Sequence, residues 1–148
     1  EINGVQVEFL HPPLGRKEGS IFWGNDASLV LRLTFGEVSF LFCGDVEAAA
    51  EEEIRRANPN LQSTVIKVPH HGSKTSSTPE FMESVRPKYA IFTVKAGGRH
   101  RLPHPIVFKR YEDIGTKAFL TDRDGAITFT TKGKDLQVRT FIGDKKTF

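Results

Sequence analysis

The sequence is poor in cysteine, methionine and tryptophan, with one of each at Cys43, Met82 and Trp23. A lone cysteine excludes an intrachain disulfide. It stands in the apolar run Phe40-Leu41-Phe42-Cys43, where it reads as a small buried hydrophobe rather than a reactive thiol. One such residue leaves the redox compartment open. No apolar run is long enough to span a bilayer. Neither sign of charge dominates: 21 basic against 18 acidic residues leave a net +3, which does not by itself point to nucleic acid. Charged residues at 26% and hydrophobic residues at 38% describe a globular piece, not a disordered tail. Repeats, low-complexity segments and an interdomain linker are also absent. The 148 residues therefore read as a single domain, 1–148, around one core.

What the sequence does have is a run of short apolar segments that end in chemistry. Val65-Ile66-Lys67-Val68 leads into Pro69-His70-His71-Gly72-Ser73, and Phe40-Leu41-Phe42-Cys43 leads into Gly44-Asp45. Adjacent residues of a strand point to opposite faces, so two neighbouring histidines pack poorly unless the backbone turns beneath them. A turn there offers imidazoles to a metal or a phosphate. A carboxylate and histidines on neighbouring strand ends are the raw material of a metal site. His71 is the preferred metal ligand. His70 then sits beside the metal, contacting substrate or protonating a leaving group. Asp45 reads either as a metal ligand or as the N-cap of the helix next in sequence.

Periodicity predicts strands at 5–10, 28–35, 38–43, 64–68, 89–94, 117–121, 126–131 and 135–142. It predicts helices at 47–57, from Thr78-Pro79 to Arg86-Pro87, and at 106–114 with Gly115 closing the last. Either Thr78 as N-cap or a Ser77–Glu80 capping box suits the second helix. Residues 14–25 read as a loop, and Asn25-Asp26 as turn chemistry. The order β, ββ, α, β, α, β, α, βββ predicts an α/β protein, a mixed sheet with flanking helices. In such folds ligands collect beyond the strand ends. There the sequence places Asp45, His70, His71 and His104, the last held between Pro103 and Pro105. His104 suits a cleft histidine or a capped loop residue equally. His11 is a weaker ligand candidate. Ser73, Thr75, Ser76 and Ser77 offer donors to phosphate oxygens. Lys95, Arg99, Arg101, Lys109 and Arg110, around His100 and His104, read as a solvated face or as a collar for an anionic substrate. Ile2-Asn3-Gly4-Val5 is a hairpin signal with almost nothing before it, so the natural polypeptide is expected to extend upstream of Glu1.

Taken in order, Asn25-Asp26-Ala27-Ser28-Leu29-Val30-Leu31, Phe40 to Glu47, Lys67 to Ser73, His104-Pro105, Thr121-Asp122 and Gly125-Ala126 resemble a known group. They look like the metallo-β-lactamase-fold domain of bacterial DNA-internalization competence proteins of the ComEC type, over nearly the whole chain. The resemblance implies a metallo-β-lactamase-like αββα sandwich with one or two zinc ions. Asp45 matches the bridging carboxylate, His71 the late metal histidine, and His70 and His104 the residues near substrate. It implies metal-dependent hydrolysis of a phosphodiester, with DNA as a candidate substrate. It also suggests a membrane association of the whole protein through segments absent here.

The family's main ligand motif, His-x-His-x-Asp-His, is absent: the five histidines are 11, 70, 71, 100 and 104. The chain therefore resembles the C-terminal half of that domain, partnered by an N-terminal half of the same polypeptide. Alone it is expected to bind metal weakly or not at all and to hydrolyse negligibly. Two other readings stand beside this one: a non-catalytic module that binds an anion or DNA, and a half-domain that dimerises through an uncovered apolar sheet face.

Overall fold

The computed structural model describes residues 1–13, 23–98 and 101–142. It is an α/β protein with a mixed sheet, as the element order predicts. Six strands lie side by side in sequence order: β1 (Gln6–His11), β2 (Val30–Phe35), β3 (Val38–Phe42), β4 (Val65–Lys67), β5 (Tyr89–Phe92) and β6 (Lys117–Leu120). The first three are antiparallel, joined at β2–β3 by a tight turn through Gly36, whose φ is +59°. From β3 to β6 the pairing is parallel. Parallel neighbours need crossovers. Helices α1 (Ala48–Ala57), α2 (Pro79–Val85) and α3 (Pro105–Asp113) supply them. The short helix α4 (Thr121–Asp124) comes directly after β6, and a separate hairpin of β7 (Ile127–Thr131) and β8 (Leu136–Thr140) closes the described chain. The Asn-Gly signal is realised at the start: Asn3 and Gly4 both have positive φ, and Ile2 bridges to Val5.

Each face of the sheet has its own partner. On one, Leu41, Ile66, Ala90 and Phe92 pack against Ala50 and Ile54 of α1, Phe81, Met82 and Val85 of α2, and Val107 and Tyr111 of α3. Cys43 is buried in this layer, and burial pushes its thiol far above the ordinary range, in keeping with an inert residue. On the other face, Val65, Tyr89 and Phe119 pack against Phe129, Val138 and their hairpin neighbours. The hairpin covers the β4–β6 side of that face and reaches Phe40.

Over β1–β3, beyond Phe40, the second face is partly exposed among the described residues. Cross-strand partners share a face, and the register pairs Phe9 with Leu31 and Leu31 with Phe42. Phe9 is 63% exposed and Phe42 41%. Sequence alternation alone makes such phenylalanines look like core. Whether they are depends on what covers the sheet.

Strand limits agree with the predicted ones to within two residues, most falling on or just inside them, while β1 runs one residue further, to His11. The 14–25 loop falls mostly outside the described residues, and its described end is a turn of 3-10 helix at Gly24–Ala27. Thr78 is the N-cap of α2, with its hydroxyl accepting from the Phe81 N–H, so the Ser77–Glu80 box does not form. Helix α4 leaves no mark in the apolar pattern. A turn at Asp124-Gly125 is tightened into one helical turn, and the Asp124 carboxylate accepts from the Leu120 N–H.

Candidate metal centre at the strand ends

Strands β3, β4 and β5 are parallel neighbours, so the segments that leave them emerge at one edge of the sheet. Cys43-Gly44-Asp45 leaves β3, Val68 to Gly72 leaves β4, and Thr93 leaves β5. Antiparallel β2 starts at that same edge, which brings Asp26 and Ser28 there as well.

Asp45 is set by its backbone. Gly44 has φ +53°, and a Cβ there would stand 2.7 Å from the Ser28 Cβ, so only glycine fits. The Asp45 N–H donates to the Ser28 hydroxyl at 3.1 Å, and the Lys67 ammonium donates to the Gly44 carbonyl at 2.8 Å. The alternative reading of Asp45 as a helix cap does not hold. Glu47 is the N-cap of α1, and its N–H is taken at 2.6 Å by the Asp26 carboxylate. Asp26 is therefore more than turn chemistry: it holds the loop that carries Asp45.

The histidine pair rides on a left-handed turn. His70 (φ 44°), His71 (φ 55°) and Gly72 (φ 84°) all have positive φ in succession. Non-glycine residues in this region cost of order 1–2 kcal/mol each, and such strain gathers at functional sites. The turn is tied down at both ends: the His70 N–H donates to the Gly44 carbonyl, and the Gly72 carbonyl accepts from the His104 N–H. Gly72 has no room for a side chain, because a Cβ would meet the Pro103 Cβ at 2.8 Å and the Phe92 ring at 2.9 Å.

The turn sends the two rings different ways. His71 Nδ1 lies 2.7 Å from the Thr93 carbonyl oxygen and 2.8 Å from its hydroxyl. A carbonyl only accepts, so Nδ1 carries a hydrogen, and in the neutral ring Nε2 presents the lone pair. That Nε2 faces Asp45 Oδ1 at 3.5 Å. Two acceptors held face to face call for a cation or a proton between them. Two donors of a tetrahedral zinc, with bonds of about 2.0–2.2 Å, stand about 3.4 Å apart. Fixing of the far ring nitrogen by a carbonyl is also the usual support of a ligating histidine. On both counts Asp45 and His71 fit a metal. They supply two donors, and among the described residues no group of three or more His, Cys, Asp or Glu side chains forms a metal site. Lys67 Nζ stands 3.5 Å from the same Asp45 oxygen and offsets part of its charge.

His70 turns instead toward Glu47. Its Nδ1 is 3.1 Å from Glu47 Oε1, close enough for an ion pair if the ring is protonated but not aligned as a hydrogen bond. Glu47 Oε1 also accepts from the Thr75 hydroxyl at 2.9 Å and from the Asn25 amide at 3.3 Å. The role His104 displays is a cap: its Nδ1 accepts from the Ile106 N–H at the start of α3. Its backbone bond to Gly72 keeps it beside the histidine turn. Of the hydroxyls offered to phosphate, Ser76 and Ser77 are buried and committed, to the Val46 carbonyl and the Tyr111 hydroxyl respectively. His11 ends β1 at this same edge, opposite Val30, and is buried with Nε2 2.7 Å from the Asp26 carbonyl. The basic collar thins out as well. Lys109 pairs with Asp113, Arg110 donates to the Ser77 carbonyl, and Arg99 and His100 lie outside the described residues.

Sequence reasoning missed Thr93, Lys67 and Glu47. For Lys67 a signal existed: it is the one charged residue in an apolar run directly before the histidines.

No protein-family model matches the chain. Among curated proteins, it is 34% identical over 110 residues to ComE operon protein 3 of Bacillus subtilis, a match covering 74% of this chain and 14% of that protein. It is 34% identical over 152 residues to competence protein ComA of Neisseria gonorrhoeae, covering 99% and 21%. It is 36% identical over 126 residues to the uncharacterized protein YcaI of Escherichia coli, covering 83% and 16%. Similarity of this extent to two proteins named for competence supports a ComEC-type competence family for this chain. The chain spans between 14% and 21% of the length of these relatives. Among the described residues no helix is long and apolar enough to cross a membrane.

Proposed function

We propose that this chain is the C-terminal part of a metallo-β-lactamase-like, metal-dependent hydrolase domain that cleaves phosphodiesters in the service of DNA uptake. The observation that carries the proposal is the Asp45 Oδ1–His71 Nε2 separation of 3.5 Å, with the imidazole held by Thr93 so that its lone pair faces the carboxylate. Competence-named relatives far longer than this chain support the setting.

In the complete domain Asp45 and His71 would hold zinc, with the remaining ligands drawn from the N-terminal half of the polypeptide. Bound there, zinc supplies an activated water and neutralises charge on the phosphoryl oxygens. Lys67 restrains the Asp45 carboxylate. His70, backed by Glu47, is placed to meet the substrate or to protonate the leaving oxygen. His104 borders the same turn and is the second candidate to line the cleft.

The exposed part of the β1–β3 face supports the half-domain reading, because among the described residues Phe9 and Phe42, on either side of half-buried Leu31, form an exposed apolar stripe. The N-terminal half would pack there. For the chain alone, that same stripe favours a homodimer, which size-exclusion chromatography would reveal.

The test is a phosphodiester assay on this chain with millimolar zinc or manganese. Two donors are too few for a working centre, so turnover is expected to stay at background. Turnover that Asp45→Ala abolishes would overturn the claim that the centre is incomplete here.

A further inference from the structure

A recess of about 200 Å³ opens on the flank of His71. It is lined by His71, by half-buried Val94 and Leu102, and by exposed Lys95 and Arg101. Its backbone is pre-set. The Thr121 hydroxyl accepts from the Val94 N–H at 2.8 Å and donates to the Val94 carbonyl at 2.7 Å. Gly98 N–H donates to the Lys95 carbonyl and Arg101 N–H to the Gly98 carbonyl, and both cations belong to the lining of this one recess. Arg101 is held at φ 46°, an unusual setting for an exposed arginine.

Among the described residues no carboxylate lines this recess, and neither Lys95 nor Arg101 has an ion-pair partner. Lys109 and Arg123 show the contrast, each answered by an aspartate. Lys95 and Arg101 beside two apolar side chains fit a ligand that joins an anionic group to a small apolar or ring-shaped body. Pockets for drug-sized ligands run to roughly 300–1,000 Å³, so this one takes a single small unit.

We propose that the recess binds one nucleotide of the substrate, with its base or sugar on Val94 and Leu102 and its phosphate on Lys95 and Arg101. This rests on the hydrolase reading and deepens it. Because His71 is shared by the recess and the metal centre, a nucleotide seated here lies next to the bond to be cut. Selectivity for nucleic acid over other phosphodiesters would then come from this chain's own residues.

The test needs neither metal nor turnover. The isotopically labelled chain, in EDTA, is titrated with thymidine monophosphate, thymidine or inorganic phosphate and followed by amide chemical shifts. Thymidine monophosphate is expected to shift Val94, Lys95 and Leu102 and to bind about tenfold or more tighter than either part alone. Lys95→Ala combined with Arg101→Asn, which tolerates the left-handed backbone, should weaken it by about tenfold. Lys88→Ala, at the opposite edge of the sheet, should leave it unchanged. Shifts elsewhere, phosphate binding as tightly as the nucleotide, or an unaffected double variant would overturn the proposal. Metal-dependent hydrolysis by the complete protein alongside an empty recess would refute the nucleotide subsite and leave the hydrolase reading standing.

Discussion

Gly72→Ala is expected to cost about 3 kcal/mol of stability, from a left-handed backbone at a non-glycine residue plus forced overpacking. The new methyl group would meet the Pro103 Cβ at 2.8 Å and the Phe92 ring at 2.9 Å, and Phe92 is fully buried beneath three helices. Phe92 has no exposed surface to yield into, and Pro103, half-buried, can give only by moving the backbone next to His104. Pro103 is next to His104, whose N–H binds the Gly72 carbonyl, so the strain reaches the loop beside the candidate site. Gly97→Ala is the control. It shares a positive φ of +67° but has nothing within 4 Å, so it should cost only about 1 kcal/mol. Urea unfolding of both variants, with the His71 imidazole signals followed by NMR, separates backbone strain from crowding. Equal losses in the two variants would mean that the packing above Gly72 is loose enough to admit a methyl group.

Glu51→Gln is expected to destabilise the fold by roughly 2 kcal/mol near neutral pH. Glu51 is buried on α1, and its two carboxylate oxygens accept from the Ser77 N–H at 2.5 Å and the Thr78 N–H at 2.8 Å. Those donors stand where α2 begins, at the end of the loop that leaves the histidine turn. Ser77 itself has φ 57°, and Arg110 and Tyr111 hold it from α3. A glutamine satisfies one N–H and turns its own NH₂ on the other, leaving a buried donor unmet. Burial raises the Glu51 carboxyl above its ordinary 4.5, outweighing the two N–H groups that favour the anion. Below pH 4.5 folded and unfolded chains both keep the proton. As pH rises toward the raised native value, the unfolded chain releases it first, so this residue's contribution to stability declines across that window. The decline should be missing from Glu51→Gln. Denaturant midpoints measured from mildly acidic to neutral pH check both the loss and the missing slope.

Much of this fold was legible because the chain alternates strand and helix in short units. Apolar runs such as 38–42 and 65–67 end in glycine or proline, and parallel pairing brings the loops leaving those strands to one edge. That rule is enough to place Asp45 beside His71. The features that stayed hidden depended on partners far away in sequence. Thr93 looks like any residue ending a strand, and only the β4–β5 pairing makes its carbonyl the acceptor for His71. Asp45 could be a cap until Asp26, from the preceding loop, takes the Glu47 N–H in its place. Ser76 and Ser77 read as phosphate donors because their burial under α1 and α3 leaves no mark on local composition. Phe9 and Phe42 have the alternation of core residues, yet alternation reports the face and not its cover.

Asp45 and His71 are here proposed as two ligands of one metal. The most direct test of that proposal is to locate zinc by anomalous scattering in the complete protein that carries this segment. Zinc is expected on Asp45 Oδ1 and His71 Nε2, with Nδ1 still donating to Thr93. Zinc bound elsewhere, with a protonated His71 paired to Asp45 and hydrolysis intact, would contradict it.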